Sequence, residues 1–338
     1  MNPYPNPPPQ RGREIMRLAP IRFVLFFQLF LSISVLLSAC SVPGAPAAAP
    51  SQTLLPTASS TASPTSTPSL TPTATATVTL TPSPSDTSSP TISSTPTRLA
   101  CWSQGGQIVL GKLETSLLSQ PLEYRVYLPP CYARLPGRRY PVLYLIHGQS
   151  YTDDQWDRLG ADETADRLIA AGEIAPFIIV MPRDRAWTQA DVDPFGQAFL
   201  EVLLPYIDET FPTLAQRQYR AVGGLSRGAS WAIHFGLGHW ELFGTIGLHS
   251  PPVFWSDVPD VKKWLDTIPF DSMPRIFMDM GKDDRPEIKE SALWFESQLT
   301  QRSIPHEWHQ FEGYHEEAYW QAHVEQYLRW YAADWPLK

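Results

Sequence analysis

Cysteine is scarce in this chain: 338 residues hold only three, at positions 40, 101 and 131. That is too few for a small scaffold built on disulfides or for a four-cysteine zinc site. Basic residues are also in short supply, 26 Lys and Arg against 34 Asp and Glu, for a net charge of −8. The deficit is uneven. Residues 1–39 carry four Arg against Glu14, and residues 40–100 carry Arg98 against Asp86, so residues 101–338 hold −11. Nucleic-acid binding rests on Lys and Arg neutralising phosphates, so an acidic domain is a poor candidate for it. No G-x-x-x-x-G-K-[ST] loop and no strand-linked G-x-G-x-x-G occurs, which leaves nucleotide binding unsupported. His306 and His309 have H-x-x-H spacing, but on a strand that spacing puts them on opposite faces. No metal site and no cofactor is expected. Long apolar runs are missing as well. The longest, "FVLFFQLFLSISVLL" at 23–37, has about 15 residues where a membrane-spanning helix needs ~20.

What is there divides into three parts. Residues 1–39 have a basic front, that short apolar run and a small-residue exit, the pattern of a secretion signal. The exit, "LLSACS", resembles the bacterial lipobox. The resemblance implies a lipidated Cys40 at a new N-terminus and a domain held on the outer side of a bacterial membrane. One acyl chain alone anchors marginally, and several anchor firmly. Residues 40–100 are nearly all Ser, Thr, Pro and Ala, with no apolar periodicity. Such a segment cannot bury enough surface to offset its ordering entropy, and a disordered stalk is expected. Its proline content gives an extended reach on the order of 180 Å at ~3.1 Å per residue. Residues 101–338 form the folded domain. Cys101 and Cys131 are its only thiols. Beyond the membrane they are expected to pair, closing a loop worth roughly 3–4 kcal/mol in the chain-entropy account.

Within the domain, strand-like and helix-like text alternate. "YPVLYLIHG" (140–148) and "FIIVMP" (177–182) are continuous apolar runs suited to strands buried on both faces. "LEYRVYLP" (122–129) alternates as a half-buried strand does. "GQAFLEVLLPYIDETF" reads as one amphipathic helix, with Pro205 expected to kink it. Further strands are expected at "YRAVGGLS", "LFGTIGLHS", "RIFMDMG" and "HEWHQFE", with a last helix over 316–333. Alternating β and α units imply a mostly parallel central sheet covered by helices on both faces.

One pentapeptide then stands out. "GLSRG" places Ser226 between Gly224 and Gly228. By itself G-x-S-x-G arises by chance about one time in ten in a chain of this length. Its setting is more specific: a buried-type strand precedes it and a helix follows, as a nucleophile elbow requires. The amide of Arg227 would then face a developing oxyanion. A serine needs a base, and the base an orienting acid. "MDMGKDDRP" puts Asp283 and Asp284 in the loop after a strand, and "FEGYHEEAYW" puts His315 in the loop before the last helix. All three lie after strand C-termini, where sites in such sheets form. His147 reads as a hydrogen-bonding residue beneath the loop that follows it. Asp153 and Asp154 are expected to cap the next helix, with a place on the cleft rim as the alternative. The cleft walls would come from loops 149–160, 184–196 and 251–270, with Trp255 the best candidate for a lining ring.

Four stretches, "YRVYLPPCY", "YPVLYLIHGQSYTDDQW", "GLSRGA" and "GKDD…GYH", resemble the esterase D-type α/β-hydrolases over roughly residues 104–333. That family includes S-formylglutathione hydrolases, feruloyl esterases, siderophore-releasing esterases and mycolyltransferases. The resemblance implies an α/β-hydrolase fold with Ser226 as nucleophile and His315 as general base. Asp284 becomes the acid because it completes Gly281-x-x-Asp, with Asp283 as its rival. Gln149 supplies the second oxyanion amide beside that of Arg227. It also implies a serine carboxylic-ester hydrolase acting through an acyl-enzyme on an extracellular ester, small or glycan-linked, with acyl transfer to another acceptor and a non-catalytic binding domain as the alternatives. Arg where the family commonly has Met or Phe suggests a side chain facing the cleft or a surface ion pair at position 227.

Overall fold

The structure is a computed structural model and describes residues 100–337. The expectations for the signal segment, for Cys40 and for the linker up to residue 99 lie outside the described residues.

Eight strands form one sheet: β1 (Gln107–Leu113), β2 (Leu122–Leu128), β3 (Val142–Ile146), β4 (Ile178–Pro182), β5 (Arg220–Leu225), β6 (Thr245–His249), β7 (Arg275–Gly281) and β8 (Glu307–Phe311). Their order is β1-β2-β4-β3-β5-β6-β7-β8. Strand β2 runs antiparallel to β1 and β4, and every other pairing is parallel. This is the α/β-hydrolase arrangement. The β1 strand was not legible in the sequence. It is a sheet edge with mostly half-exposed residues, so it lacks the apolar run that marks β3.

Helices α1 (Gln155–Arg158), α2 (Ala161–Ala171), α3 (Pro194–Ala198), α4 (Leu204–Thr210), α5 (Arg227–Gly238), α6 (Val258–Thr267), α7 (Pro286–Gln301) and α8 (Glu317–Tyr331) cover both faces. Strand β3 shows why both are needed. Val142, Tyr144 and Ile146 enter one core with Trp231 and Phe235 of α5. Leu143 and Leu145 enter the other with Leu168 of α2 and Tyr327 of α8. Successive side chains of a strand point to opposite faces, so a run apolar at every position must be covered twice.

One expectation is sharpened and one corrected here. The helix expected around Pro205 is helical without a gap through α3, a π-helical turn at Phe199–Leu203 and α4, so its irregularity is a π turn rather than a sharp kink. Proline has no amide to donate, so the ladder re-registers just before it. The 251–270 segment is not only loop, since it contains α6, opened by a proline in its first turn.

The Cys101–Cys131 disulfide is formed, with a Cα–Cα distance of 5.0 Å. Cys131 follows β2, which is antiparallel to β4. The bond therefore lies at the edge of the sheet opposite the C-termini of the parallel strands.

Candidate active site

Strand β5 is buried along its whole length and leads straight into α5. Between them Ser226 has φ 51°, ψ −124°. A non-glycine residue in that region is strained and persists only where its surroundings over-determine it. The surroundings do so. A Cβ on Gly224 would come within 2.4 Å of the Gly228 backbone, and one on Gly228 within 2.0 Å of the Ile146 carbonyl oxygen. Both positions must therefore be glycine. The Ser226 amide donates to the His249 carbonyl (2.8 Å), while the Ser226 carbonyl accepts from Ala229 (2.8 Å) and so starts the helix.

The structure brings Ser226, His315 and Asp284 together. Ser226 Oγ is 2.9 Å from His315 Nε2, and His315 Nδ1 is 2.7 Å from Asp284 Oδ1. Residues 58 and 89 positions downstream of Ser226 thus meet it across three strand ends. Asp284, not Asp283, makes the contact. Asp283 is exposed, and only its amide is engaged, by Gly313. Burial works to raise the Asp284 pKa, but the His315 ring, the Ser250 hydroxyl and the Arg285 amide more than offset it, and the carboxyl stays below its ordinary range. A carboxylate kept ionised holds the imidazole in one orientation with Nε2 free to accept. Trp320 packs edge-on against the His315 ring at 5.0 Å, and its indole N–H donates to Ser250 Oγ at 3.3 Å.

The loop carrying Gln149 is built from below. Gly148 N–H donates to Gln155 Oε1 (2.8 Å), Gln155 Nε2 donates to Glu317 (3.1 Å), and the Trp156 indole donates to the Ile146 carbonyl (3.0 Å). His147 is buried. It donates from Nδ1 to its neighbour's carbonyl and accepts the Asp184 amide on Nε2. Burial lowers its pKa, which keeps it a neutral hydrogen-bonding strut. Neither the Gln149 nor the Arg227 amide is engaged by another backbone group among the described residues. Both residues line the cleft that Ser226 and His315 enter.

The Arg227 side chain departs from both readings of it. It is neither a cleft cation nor a surface ion pair. Its side chain is 7% exposed and lies between two buried carboxylates, Asp184 (2.6 Å) and Asp193 (2.7 Å). It also donates to the Thr188 carbonyl at 2.7 Å. Burial and the neighbouring Asp184 raise the Asp193 pKa against the pull of the guanidinium. Removing one partner of such a buried set typically costs about 3–5 kcal/mol, so the residue ties the 184–193 wall to the elbow. Asp153 and Asp154 are also corrected. Neither caps α1 with its side chain. Asp153 pairs with Arg125 at 3.0 Å, and Asp154 with Arg158 at 3.2 Å. Trp255 does line the cleft and is 82% exposed.

That cleft has a volume of about 530 Å³ and is walled by Tyr151, Gln189, Phe254, Trp255 and Trp320 around Ser226. It shares Pro252, Val253, Trp255, Glu287 and Ile288 with a recess of about 310 Å³ lined further by Val258 and Trp294. Sequence reasoning missed a second histidine, His249, and its partner Asp279, buried just behind this site. The available signal was an acid in the middle of an apolar strand, "RIFMDMG".

An eight-stranded sheet in this order, with a serine–imidazole–carboxylate chain at its strand ends, defines an α/β-hydrolase-fold protein with a serine-type site. The profile of the family described as "Putative esterase" matches residues 115–331, and the chain belongs to that family. It is similar to an endo-1,4-beta-xylanase/feruloyl esterase of Xylanibacter ruminicola, 31% identical over 198 residues, covering 55% of this chain and 24% of the relative. An esterase of Mycobacterium tuberculosis is 34% identical over 151 residues, covering 42% of this chain and 31% of the relative. The match thus spans about a quarter to a third of these relatives' length. Among solved structures, a ferulic acid esterase superposes with a TM-score of 0.61 at 24% identity, covering 68% of this chain and 98% of that one.

Proposed function

We propose that this chain is a serine carboxylic-ester hydrolase that works through an acyl-enzyme, with Ser226, His315 and Asp284 as its catalytic residues. One observation carries the reading: a continuous hydrogen-bonded path from Ser226 Oγ through His315 to Asp284 Oδ1, of 2.9 and 2.7 Å, that opens onto a cleft. Ser226 Oγ attacks the ester carbonyl carbon while His315 Nε2 takes its proton. Asp284 accepts from Nδ1 and stabilises the imidazolium. The amides of Gln149 and Arg227 receive the oxyanion, and a single donor of this kind is typically worth about 10²–10³ in rate. Collapse of the tetrahedral species expels the alcohol, which leaves with the proton from His315. Water, deprotonated by the same ring, then releases the acid and restores Ser226.

The substrate fits an ester of an aromatic acid. Two similar proteins carry feruloyl or ferulic acid esterase in their names. Here Phe254, Trp255 and Trp320 offer rings around the nucleophile. A lipid at Cys40 would hold the enzyme outside a bacterial cell, with residues 40–100 as its stalk. Support for that rests on the charged front, the short apolar run and the "LSAC" exit.

Ser226→Ala is expected to abolish turnover of p-nitrophenyl acetate and of methyl ferulate, and to prevent labelling by a fluorophosphonate. Unchanged turnover in that variant would sink the reading. Cys40→Ser is expected to move the protein from the membrane fraction to the medium when it is expressed in a bacterium that processes lipoproteins. Membrane retention equal to the unmodified chain would remove the anchor from the account.

A further inference from the structure

Behind the catalytic pair lies a second imidazole and carboxylate that the reaction never touches. His249 ends β6, and its Nδ1 donates to Asp279 Oδ1 on β7 at 2.7 Å. The other oxygen, Oδ2, accepts from two hydroxyls of α8, Tyr319 at 2.6 Å and Tyr327 at 2.7 Å. Tyr331 donates to His249 Nε2 at 3.1 Å. Burial and the Asp279 charge push all three tyrosines well above their usual range, so their protons stay on oxygen and they remain donors. Asp279 and His249 are both 0% exposed. The sheet makes room for the cluster: a Cβ on Gly223 or Gly247 would lie 1.8 Å from the Tyr331 hydroxyl.

Each catalytic segment is attached to this cluster by a short path. The nucleophile is attached through the Ser226 amide, bonded to the His249 carbonyl at 2.8 Å. The acid is attached through β7 itself, which carries Asp279 and ends three residues before Asp284. The base is attached through α8, which starts two residues after His315 and contributes both tyrosines that hold Oδ2. Ser250, the residue after His249, donates its amide to the Asp279 carbonyl at 2.7 Å.

We propose that Asp279 is a positioning residue for the esterase reaction. Its carboxylate clamps β6, β7 and α8 together and so sets where Ser226, Asp284 and His315 stand relative to one another. The inference rests on the reading of Ser226 as nucleophile. As a device for stability alone the cluster is a poor choice, because well-packed apolar side chains in place of buried charge are often neutral or stabilising. As a device for position it is apt. A carboxylate with three convergent donors has one low-energy geometry, and a misplacement of about 1 Å at a reacting group can cost on the order of 10² in rate.

The test uses the full chain, with Ser226→Ala run alongside. Asp279→Asn is expected to lower kcat about ten-fold or more while KM stays within about two-fold, the split of an interaction felt in the transition state. Fluorophosphonate should still label Ser226 to completion, but more slowly. Tyr327→Phe removes one oxygen and keeps the ring. It should lower kcat about three-fold with the fold intact, and add little to Asp279→Asn because both act through one carboxylate. A folded Asp279→Asn protein with kcat within about two-fold of the parent overturns the proposal. So does a loss of kcat that equals the loss of fluorophosphonate-labelled fraction, since that is unfolding alone. If Asp279→Asn does not fold, Tyr319→Phe and Tyr327→Phe decide, and unchanged kcat in both overturns it. An inert Ser226→Ala beside a normal Asp279→Asn removes only the positioning role, whereas an active Ser226→Ala removes the parent reading as well.

Discussion

Two hydroxyl–imidazole–carboxylate chains lie side by side in this protein. Ser226–His315–Asp284 has spacings of 2.9 and 2.7 Å, and Tyr331–His249–Asp279 has 3.1 and 2.7 Å. By distance alone they are nearly the same device. They differ in what surrounds them. Ser226 and His315 line a cleft. Tyr331 and His249 are sealed beneath Trp156 and Tyr327, the latter stacked on the His249 ring at 3.7 Å. Asp284 takes the His315 ring and the Arg285 amide on one oxygen, Oδ1, whereas both oxygens of Asp279 are taken by buried donors. The first set has an open side where a substrate can enter and amides waiting for charge. In the second every polar atom is already satisfied, so nothing is left over for chemistry. Triad geometry is thus necessary but not sufficient. Access to the site and unspent hydrogen-bonding capacity decide which set can react.

Four substitutions would break or sharpen that contrast. The largest effect belongs to Ser226→Ala, expected to cost on the order of 10⁴-fold or more in kcat, with only the amides and binding left to catalyse. Tyr331→Phe should leave fluorophosphonate labelling untouched, and a labelled Tyr331 in the parent protein would show that the second chain is not sealed. Next comes Asp284→Asn, expected to lower kcat about 10³–10⁴-fold by freeing the wrong imidazole tautomer. Asp283→Asn, at the exposed neighbour, should stay within about two-fold. Equal losses at 283 and 284 would mean that the acid loop rearranges in solution. The smallest effect is again at Tyr331. Its Phe variant should lower unfolding stability by about 1 kcal/mol, the net value of a neutral hydrogen bond, and kcat by less than about three-fold. A loss of kcat as large as that of Asp284→Asn would erase the distinction between the two chains.

The difference between these sets also marks what could be read from the sequence. Ser226, Asp284 and His315 stand in loops after strands, beside glycines. Those positions break the apolar text, and their order along the chain carries meaning. His249 and Asp279 sit at the end and in the middle of strands, and their tyrosine partners look like ordinary core residues of an amphipathic helix. Arg227 was conspicuous, but its partners Asp184 and Asp193 are 43 and 34 residues upstream. Nothing in local spacing could assign them. The weakly patterned edge strand β1 escaped for a simpler reason: it depends on neighbours that periodicity does not register.

By itself the sequence determined the layered fold, the chain order of the elbow serine, the acid loop and the loop histidine, and the need for glycine on both sides of Ser226. Those features depend on local chemistry: which faces must be buried, where a turn must be tight, which residue types can pass a proton. Only the tertiary structure decided that Asp284 rather than Asp283 faces the imidazole, that Arg227 turns inward to two buried carboxylates, and that three tyrosines and a histidine gather around Asp279. Each of those outcomes depends on groups tens of residues apart competing for the same few hydrogen-bond donors in a space closed to water, and packing alone sets who wins.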